Sequence, residues 1–454
     1  MNIVNPATQE LIATVIADDQ QSIVKKVSAA KASQKKWALV PLAERIAVLL
    51  KFTGLLQANI QSCAEILSAE VGKPLQQAKN EVNGACARIE WLTANAASAL
   101  SETWMVETGP TREKIVYEPL GVVCNISAWN YPYLVGTNVF APALLAGNAV
   151  IYKPSELATL TGLEIGKYLH EAGVPEDVFQ CAIGDREVGE LLLDADLDGY
   201  FFTGSYKTGK YIYERVSKKM KPCGLELGGK DPLYVTDDVA DIVSVAANTA
   251  DGAFYNNGQS CCSVERIYVH EKVYNAYVEA FVAEVKSYRI GSPDAENIYI
   301  GALTRKEQPA LLASQVQDAI QKGATLLCGG KPINVPGNYF EPTVLVDVNH
   351  NMEVMKEESF GPIIGIMKVR NDAEALELMN DTQYGLTAAV FCNDEQRATG
   401  LQKDLNAGTV YWNCCDRVSA ALPWSGRNHS GFGSTLSIVG IRAFTQPKSY
   451  HLRS

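Results

Sequence analysis

Two cysteines stand side by side in NNGQSCCSVER, residues 256–266. A disulfide between chain neighbours is strained. Cys261 and Cys262 therefore read as two buried thiols, the usual fate of free cysteine, or as a nucleophile with a neighbour. Four other stretches hold groups that a thiol nucleophile and a nucleotide would use. In LELGGKDP, residues 225–232, Glu226 lies between leucines. Apolar surroundings disfavour a carboxylate and raise its pKa, which suits a general base near neutrality; a hydrated strand-end glutamate is the plainer alternative. In ISAWNYP, residues 126–132, Asn130 offers a neutral amide donor to a developing oxyanion, or simply forms a turn before the aromatic–proline step. In IYKPSE, residues 151–156, Lys153 could reach hydroxyls or phosphate and Glu156 a ribose diol, because ligands of open α/β sheets bind at strand carboxyl ends. The alternative there is a solvated turn stiffened by Pro154. FFTGSYKTGKY, residues 201–211, runs from strand through a glycine turn into a helix whose N-terminus suits a phosphate. Its GxxxxGK spacing approaches a P-loop, but Tyr211 stands where magnesium binding needs Ser or Thr, and GxGxxG is absent.

The elements that must position these groups alternate along the chain. Between about residues 18 and 100, IVKKVSAAKASQKKWALV and AERIAVLLKFTGLLQANI repeat apolar residues at helical spacing. Gly-Lys-Pro at 72–74 separates two helices, and TREKIVYEPLGVVCNISAW turns to strand-like, β-branched runs. From Gly121, the runs GVVCNI, NAVIYKP, VFQCAIG and GYFFTG read as strands. NVFAPALLAG, ATLTGLEIGKYLHEAG, REVGELLLDA and SYKTGKYIYERVSKKM read as the helices between and after them. That order predicts a mostly parallel sheet wrapped by helices, as in nucleotide-binding domains. A second series after Gly228, through ERIYVH, SFGPIIGIMKV, GLTAAVFC and AGTVYWN, predicts a second α/β domain. The final AFTQPKSYHLRS reads as an edge strand with nothing local to pair with.

A chain of 454 residues holds two or three domains, and 47% hydrophobic with 20% charged residues is ordinary for a soluble enzyme. A net charge of −11 argues against nucleic-acid or anionic-membrane partners. The opening MNIVNPATQE lacks the parts of a signal peptide, and no apolar run is long enough to span a bilayer. Eleven cysteines, an odd number, fit reduced thiols in a cytoplasm better than a disulfide framework. With no CxxC, no HExxH and five scattered histidines, no metal site is expected.

Taken in order, WNYP, KPSE, FTGS, ELGGK and GQSC, followed by EESFGP and LPWSGRNHSGFG, resemble the aldehyde dehydrogenase superfamily over essentially the whole chain, from NPAT at Asn5 to the last strand. The resemblance implies an α/β fold in three parts. These are a Rossmann-like cofactor domain (1–103 and 121–227), an α/β catalytic domain (228–427), and a small β oligomerisation element with a C-terminal arm (104–120 and 428–454). It implies NAD(P)-dependent oxidation of an aldehyde to the carboxylic acid. Cys261, second after the Gly-Gln pair, is then the nucleophile, and Asn130 with the Cys261 backbone N–H holds the oxyanion. Glu226 activates the water that hydrolyses the thioester, and its presence favours hydrolysis over transfer to coenzyme A. The implied cofactor contacts are Ile126, Trp129, Lys153, Ser155, Glu156, Gly204, Ser205, Leu227, Glu358 and Phe360. Glu156 favours NAD, because its charge would face the 2′-phosphate of NADP; NADP is the second choice.

The same resemblance implies Tyr131, Leu134, Val135, Asn138, Ser260, Cys262, Cys415 and Trp424 as walls of the aldehyde pocket. Most are apolar or aromatic, which favours an uncharged or cationic aliphatic or aromatic aldehyde of moderate size. Two alternatives stay open. Tyr131 and Trp424 could cage the quaternary ammonium of betaine aldehyde, or Arg417 could hold the carboxylate of succinic semialdehyde unless Asp416 pairs with it. Val139 stands where many relatives carry a lysine, so no proton relay is expected there. A homodimer or homotetramer is expected, with MVETGPTREKIVYEPL pairing with the last strand across subunits, since a lone two-stranded ribbon is marginal. A reading of another class, a nucleotide-binding module without redox chemistry, rests on GSYKTGK alone.

Overall fold

Caps and breaks in the sequence divide the N-terminal helices. In the computed structural model, which describes residues 1–453, a short ribbon of β1 (Asn2–Val4) and β2 (Leu11–Thr14) precedes α1 (Gln20–Trp37), α2 (Leu42–Ala58), α3 (Ile60–Val71) and α4 (Leu75–Leu100). Asp19 and Ser22 form a capping box that starts α1. Gly72, left-handed at φ 75°, ends α3, and Pro74 starts the next helix. The hairpin β3 (Thr103–Val106) and β4 (Thr111–Pro119) follows.

Next come β5 (Val122–Ile126), α5 (Pro132–Ala146), β6 (Ala149–Lys153), α6 (Thr159–Ala172), β7 (Phe179–Cys181), α7 (Arg186–Asp194), β8 (Gly199–Thr203), α8 (Tyr206–Val216) and β9 (Cys223–Glu226). The second series is β10 (Asp231–Val235), α9 (Ile242–Phe254), β11 (Val264–His270), α10 (Tyr274–Ser287), α11 (Gln308–Gln321), β12 (Thr325–Cys328), β13 (Thr343–Val346), β14 (Ile363–Val369), α12 (Asp372–Asn380), β15 (Thr387–Phe391), α13 (Glu395–Lys403) and β16 (Thr409–Trp412). The chain closes with β17 (Gly431–Phe432), α14 (Ser437–Arg442) and β18 (Thr445–Arg453).

Two sheets carry the site. One has the order β17-β9-β8-β5-β6-β7 and is parallel except for β17; the other has the order β12-β13-β14-β11-β10-β15-β16 and is parallel except for β12. Helices cover both faces, so β6, β10 and β11 are buried along their whole length, as central parallel strands must be. Ile126, Lys153, Thr203 and Glu226 end β5, β6, β8 and β9, and so stand together at the carboxyl edge of the first sheet, where such sheets bind ligands. Among the described residues, no helix is long and apolar enough to cross a membrane.

Two expectations are corrected. The helix expected from NVFAPALLAG begins six residues earlier, at Pro132, because proline at the first helical position needs no N–H partner. That start puts Leu134 and Val135, with Asn138, on helix α5 rather than leaving the first two in the approach to it. The last strand is also not left for another subunit to pair. β18 runs antiparallel to β4 of its own chain, from Thr445 opposite Pro119 to Arg453 opposite Thr111, and makes a three-stranded sheet with β3. One edge of β18 is thereby satisfied, and only its outer edge remains open. The end of the expected arm, Ser454, lies outside the described residues.

Candidate active site

Cys261 follows a single turn in which Asn256 and Asn257 adopt left-handed backbone at φ 55° and 61°. Side-chain amides hold this turn in place. Asn256 Nδ2 donates to the carbonyls of Asn130 (3.1 Å) and Gln259 (2.9 Å). Asn257 Nδ2 donates to Ala302 O (2.9 Å), and Gly301 N–H donates back to Asn257 Oδ1 (2.7 Å). Asn130 Nδ2 donates to Gln259 O (3.1 Å), which fixes its amide beside the cysteine turn and commits one of its two hydrogens. The Cys261 N–H has no acceptor among the described residues.

The neighbouring thiols differ in their surroundings. Cys262 is buried, and its Sγ donates to Asp416 Oδ1 (2.9 Å). Hydrogen bonding to Cys261 and then desolvation hold the Cys262 thiol well above its usual range, so it stays protonated. Burial likewise raises the Asp416 carboxyl to about 7. Cys261 is half-buried and lines two cavities at once.

Glu226 ends β9 with its Oε1 accepting from Thr435 Oγ1 (3.3 Å), while its Oε2 is shielded from solvent and has no partner. Desolvation pushes this carboxyl well above the usual carboxylate range. The glycines that follow make room for the rest of the site. A Cβ on Gly228 would strike the Glu358 carboxylate, and one on Gly229 would strike the Cys261 carbonyl.

A cleft of about 540 Å³ is lined by Ile126, Trp129, Lys153, Ser155, Glu156, Gly204 and Ser205. It shares Trp129, Gly204 and Ser205 with a recess of about 170 Å³ lined by Asn130, Glu226, Leu227, Cys261, Glu358 and Phe360. All ten expected cofactor residues thus lie along one continuous groove. Its outer half has buried Lys153, exposed Glu156 and the N-terminus of α8, which Ser205 caps; its inner half ends at Cys261. An elongated dinucleotide fits this donor set. A buried ion pair that escaped notice in the sequence holds the inner half. Lys230 Nζ meets Glu265 Oε2 at 2.5 Å and donates to Ser359 Oγ (3.1 Å). Glu265 also accepts from the amides of Ser359 and Phe360, each at 3.0 Å. That turn sets Glu358, which accepts from Gly229 N–H (3.0 Å) and whose carboxyl burial raises to about 8. It also sets Phe360, which packs edge-on against Trp129 at 5.4 Å.

On the other side of Cys261 lies a cavity of about 670 Å³, walled by Tyr131, Leu134, Val135, Asn138, Ser260, Cys262 and Trp424. Cys415, expected as a wall, is not one. It packs into the core against Gly252, with its Sγ 3.7 Å from Asn248 O. The reason is the left-handed backbone at Asn413 and Asp416, which turns Asp416 to the cavity instead. Arg417 does not pair with Asp416; its Nη2 lies 3.8 Å from Asp251 Oδ2. The walls are also less apolar than expected, since Arg88, Asp251, Asp416 and Arg417 all reach them. The expected aromatic cage is half-occupied. Lys73 Nζ sits 4.0 Å over the Tyr131 ring, donates to Asn130 O (2.8 Å), and is ion-paired with Glu81 in full burial. Lys73, Glu81, Arg88 and Asp416 carry no motif of their own; their roles come only from what packs against them. Val139 is buried in α5.

The family model described as "Aldehyde dehydrogenase family" matches residues 1–450. Aminoaldehyde dehydrogenase 2 of Zea mays is 34% identical over 97% of this chain and 89% of its own length. The crystal structure of an NADP dependent enzyme of E. coli superposes with a TM-score of 0.97 at 30% identity, covering 100% of this chain and 94% of that one. An indole-3-acetaldehyde dehydrogenase in complex with NAD+ superposes with a TM-score of 0.97 at 29% identity, covering 100% and 93%.

Proposed function

The chain belongs to the aldehyde dehydrogenase family and is an NAD(P)-dependent aldehyde dehydrogenase, and from that premise we propose that Cys261 is its nucleophile, Asn130 with the Cys261 amide its oxyanion hole, and Glu226 its general base. One observation carries the assignment: Cys261 alone lines both the dinucleotide groove and the aldehyde cavity. Its thiolate adds to the aldehyde carbon, and the new alkoxide accepts from the free Asn130 amide hydrogen and the uncommitted Cys261 N–H. When bound in the groove, a nicotinamide would accept the hydride that this adduct must lose to become a thioester. Glu226 then takes a proton from water, whose oxygen displaces the Cys261 sulfur and releases the acid. Lys153 and Glu156 would hold the adenine ribose, Gly204 and Ser205 the pyrophosphate, and Glu358 the nicotinamide ribose. Glu156 favours NAD over NADP.

Residues 1–103 with 121–227 form the cofactor domain, 228–427 the catalytic domain, and 104–120 with 428–454 the oligomerisation element. The working form is a homodimer or homotetramer whose copies join edge to edge. The eleven free cysteines support a reducing compartment, the cytoplasm. The test is reduction of NAD and of NADP by hexanal, benzaldehyde, betaine aldehyde and succinic semialdehyde, with wild type, Cys261→Ser and Cys262→Ser side by side. Cys261→Ser alone should be inactive, and NAD should give the higher kcat/KM. If Cys262→Ser is the inactive variant, the nucleophile is misassigned by one residue.

A further inference from the structure

The aldehyde cavity contains a cation, Arg88, that makes no ion pair among the described residues; Glu81, the carboxylate that favours its charge from nearby, is itself paired with Lys73. Arg88 stands on the face of α4 that also presents Asn80, Gly84 and Trp91 to the cavity. It is half-buried, and desolvation lowers its pKa, though a guanidinium stays charged in any case. Its Nη1 is committed, donating to Asn138 Oδ1 (2.9 Å) and more weakly to Leu134 O (3.4 Å), so α5 fixes the plane of the group. Its Nε and Nη2 have no partner among the described residues, and both stay accessible. Those two nitrogens form the side-on edge of the guanidinium, the edge whose parallel N–H groups match the two oxygens of a carboxylate.

The other charges in the cavity are accounted for. Asp251 accepts from Tyr299 Oη (2.6 Å) and faces Arg417. Asp416 accepts from Cys262 Sγ and Ser260 Oγ. Arg88 is thus the charged side chain of the cavity without an ion pair, and its open, partly desolvated edge favours an anion over water. The acidic neighbours decide which anion: they oppose a dianionic phosphate more than a singly charged carboxylate.

We propose that Arg88 binds a carboxylate at the far end of the aldehyde, so that the substrate is the semialdehyde of a dicarboxylic acid. This rests on Cys261 as the nucleophile at the inner end of the same cavity. The carboxylate sits on the Nε–Nη2 edge, and the carbonyl carbon reaches the sulfur. A cationic aldehyde is disfavoured twice over, by Arg88 and by Lys73 already seated on the Tyr131 ring.

The test compares kcat/KM for succinic semialdehyde with that for butanal, which has the same carbon count and no charge. A charged hydrogen-bonded pair is worth about tenfold to a hundredfold. Wild type should therefore favour the semialdehyde by about that factor, and Arg88→Met should bring the ratio to about one. Arg88→Lys, which keeps the charge and loses the fork, should fall between. Glutarate should compete with the aldehyde in wild type, a measurement that decides the matter even if Arg88→Met fails to fold. Wild type that prefers butanal, betaine aldehyde or glyceraldehyde 3-phosphate, or an Arg88→Met ratio equal to wild type, overturns the assignment. If aldehydes are oxidised without the anionic preference, only Arg88 is wrong; if no aldehyde reduces the cofactor, the Cys261 reading fails with it.

Discussion

Cys261 and Cys262 carry the same functional group one residue apart, and their neighbours separate their roles. Cys262 keeps its proton, donates a hydrogen bond to the buried Asp416 carboxyl and lines only the aldehyde cavity, while Cys261 meets the groove and the cavity together. Glu226 is separated from an ordinary glutamate in the same way. Its unpartnered, desolvated Oε2 makes the protonated form favoured to an unusually high pH. The sign of the pH effect follows. Below its raised pKa, Glu226 is protonated and cannot take a proton from water, so hydrolysis of the thioester should accelerate as pH rises through its titration. Glu226→Gln keeps the shape and removes the base. It should still give a burst of NADH of about one per active site and then a steady rate lower by about 10²–10⁴-fold, with no remaining rise in hydrolysis with pH. Stopped-flow absorbance at several pH values checks this; an unchanged steady rate would remove Glu226 from the mechanism.

Between elements, the Lys230–Glu265 pair ties the entry to β10, the start of β11 and the turn bearing Glu358 and Phe360 into one unit. Glu265→Ala would leave Lys230 charged and unpaired in full burial, at a cost of about 3–5 kcal/mol, read by chemical denaturation. Glu265→Gln keeps one oxygen, which at the Oε1 position can still accept from both amides, while losing the charge. It should raise the KM for NAD about tenfold, on the scale of one lost charged hydrogen bond, and move cofactor-free ester hydrolysis at Cys261 far less. Equal losses in both would mean a merely structural pair. The alternating strands and helices are legible in the sequence because strands buried on both faces must read as continuous apolar runs. Cys261, Glu226 and Asn130 stand out because each sits in a short local motif. Lys73–Glu81, Lys230–Glu265 and Arg88 do not, because their significance depends on segments far away in the chain. Arg88, for instance, reads as one more charge on an amphipathic helix until α5 and the loop at 416–424 close over it. Cys415 and Asp416 exchange places relative to the expectation because a left-handed residue rotates the wall, and side-chain spacing alone does not reveal that turn.

At the scale of the whole molecule, two of the edge strands, β16 and β18, bear on assembly. β16 ends the seven-stranded sheet with Val410 and Trp412 each 37% exposed, and β18 ends the three-stranded sheet with its outer edge unpaired. Open edges of this length invite pairing with another chain, and pairing β16 of one copy with β18 of a second would extend both sheets at once. The backbone of β16 offers a clean way to test it. Thr409 N–H donates to Leu386 O and Asn413 N–H to Val390 O, both toward β15. By the two-residue alternation of a strand, the Val410 N–H points to the open edge. Val410→Pro therefore removes an outward donor and leaves the pairing with β15 intact, as proline on an edge strand can. Wild type should scatter light as at least two chains of 49.3 kDa, and Val410→Pro should shift toward one chain with its melting temperature lowered only as far as loss of the partner requires. A wild type that is monomeric at micromolar concentration, or a Val410→Pro variant that remains a dimer, would rule out this edge as the interface.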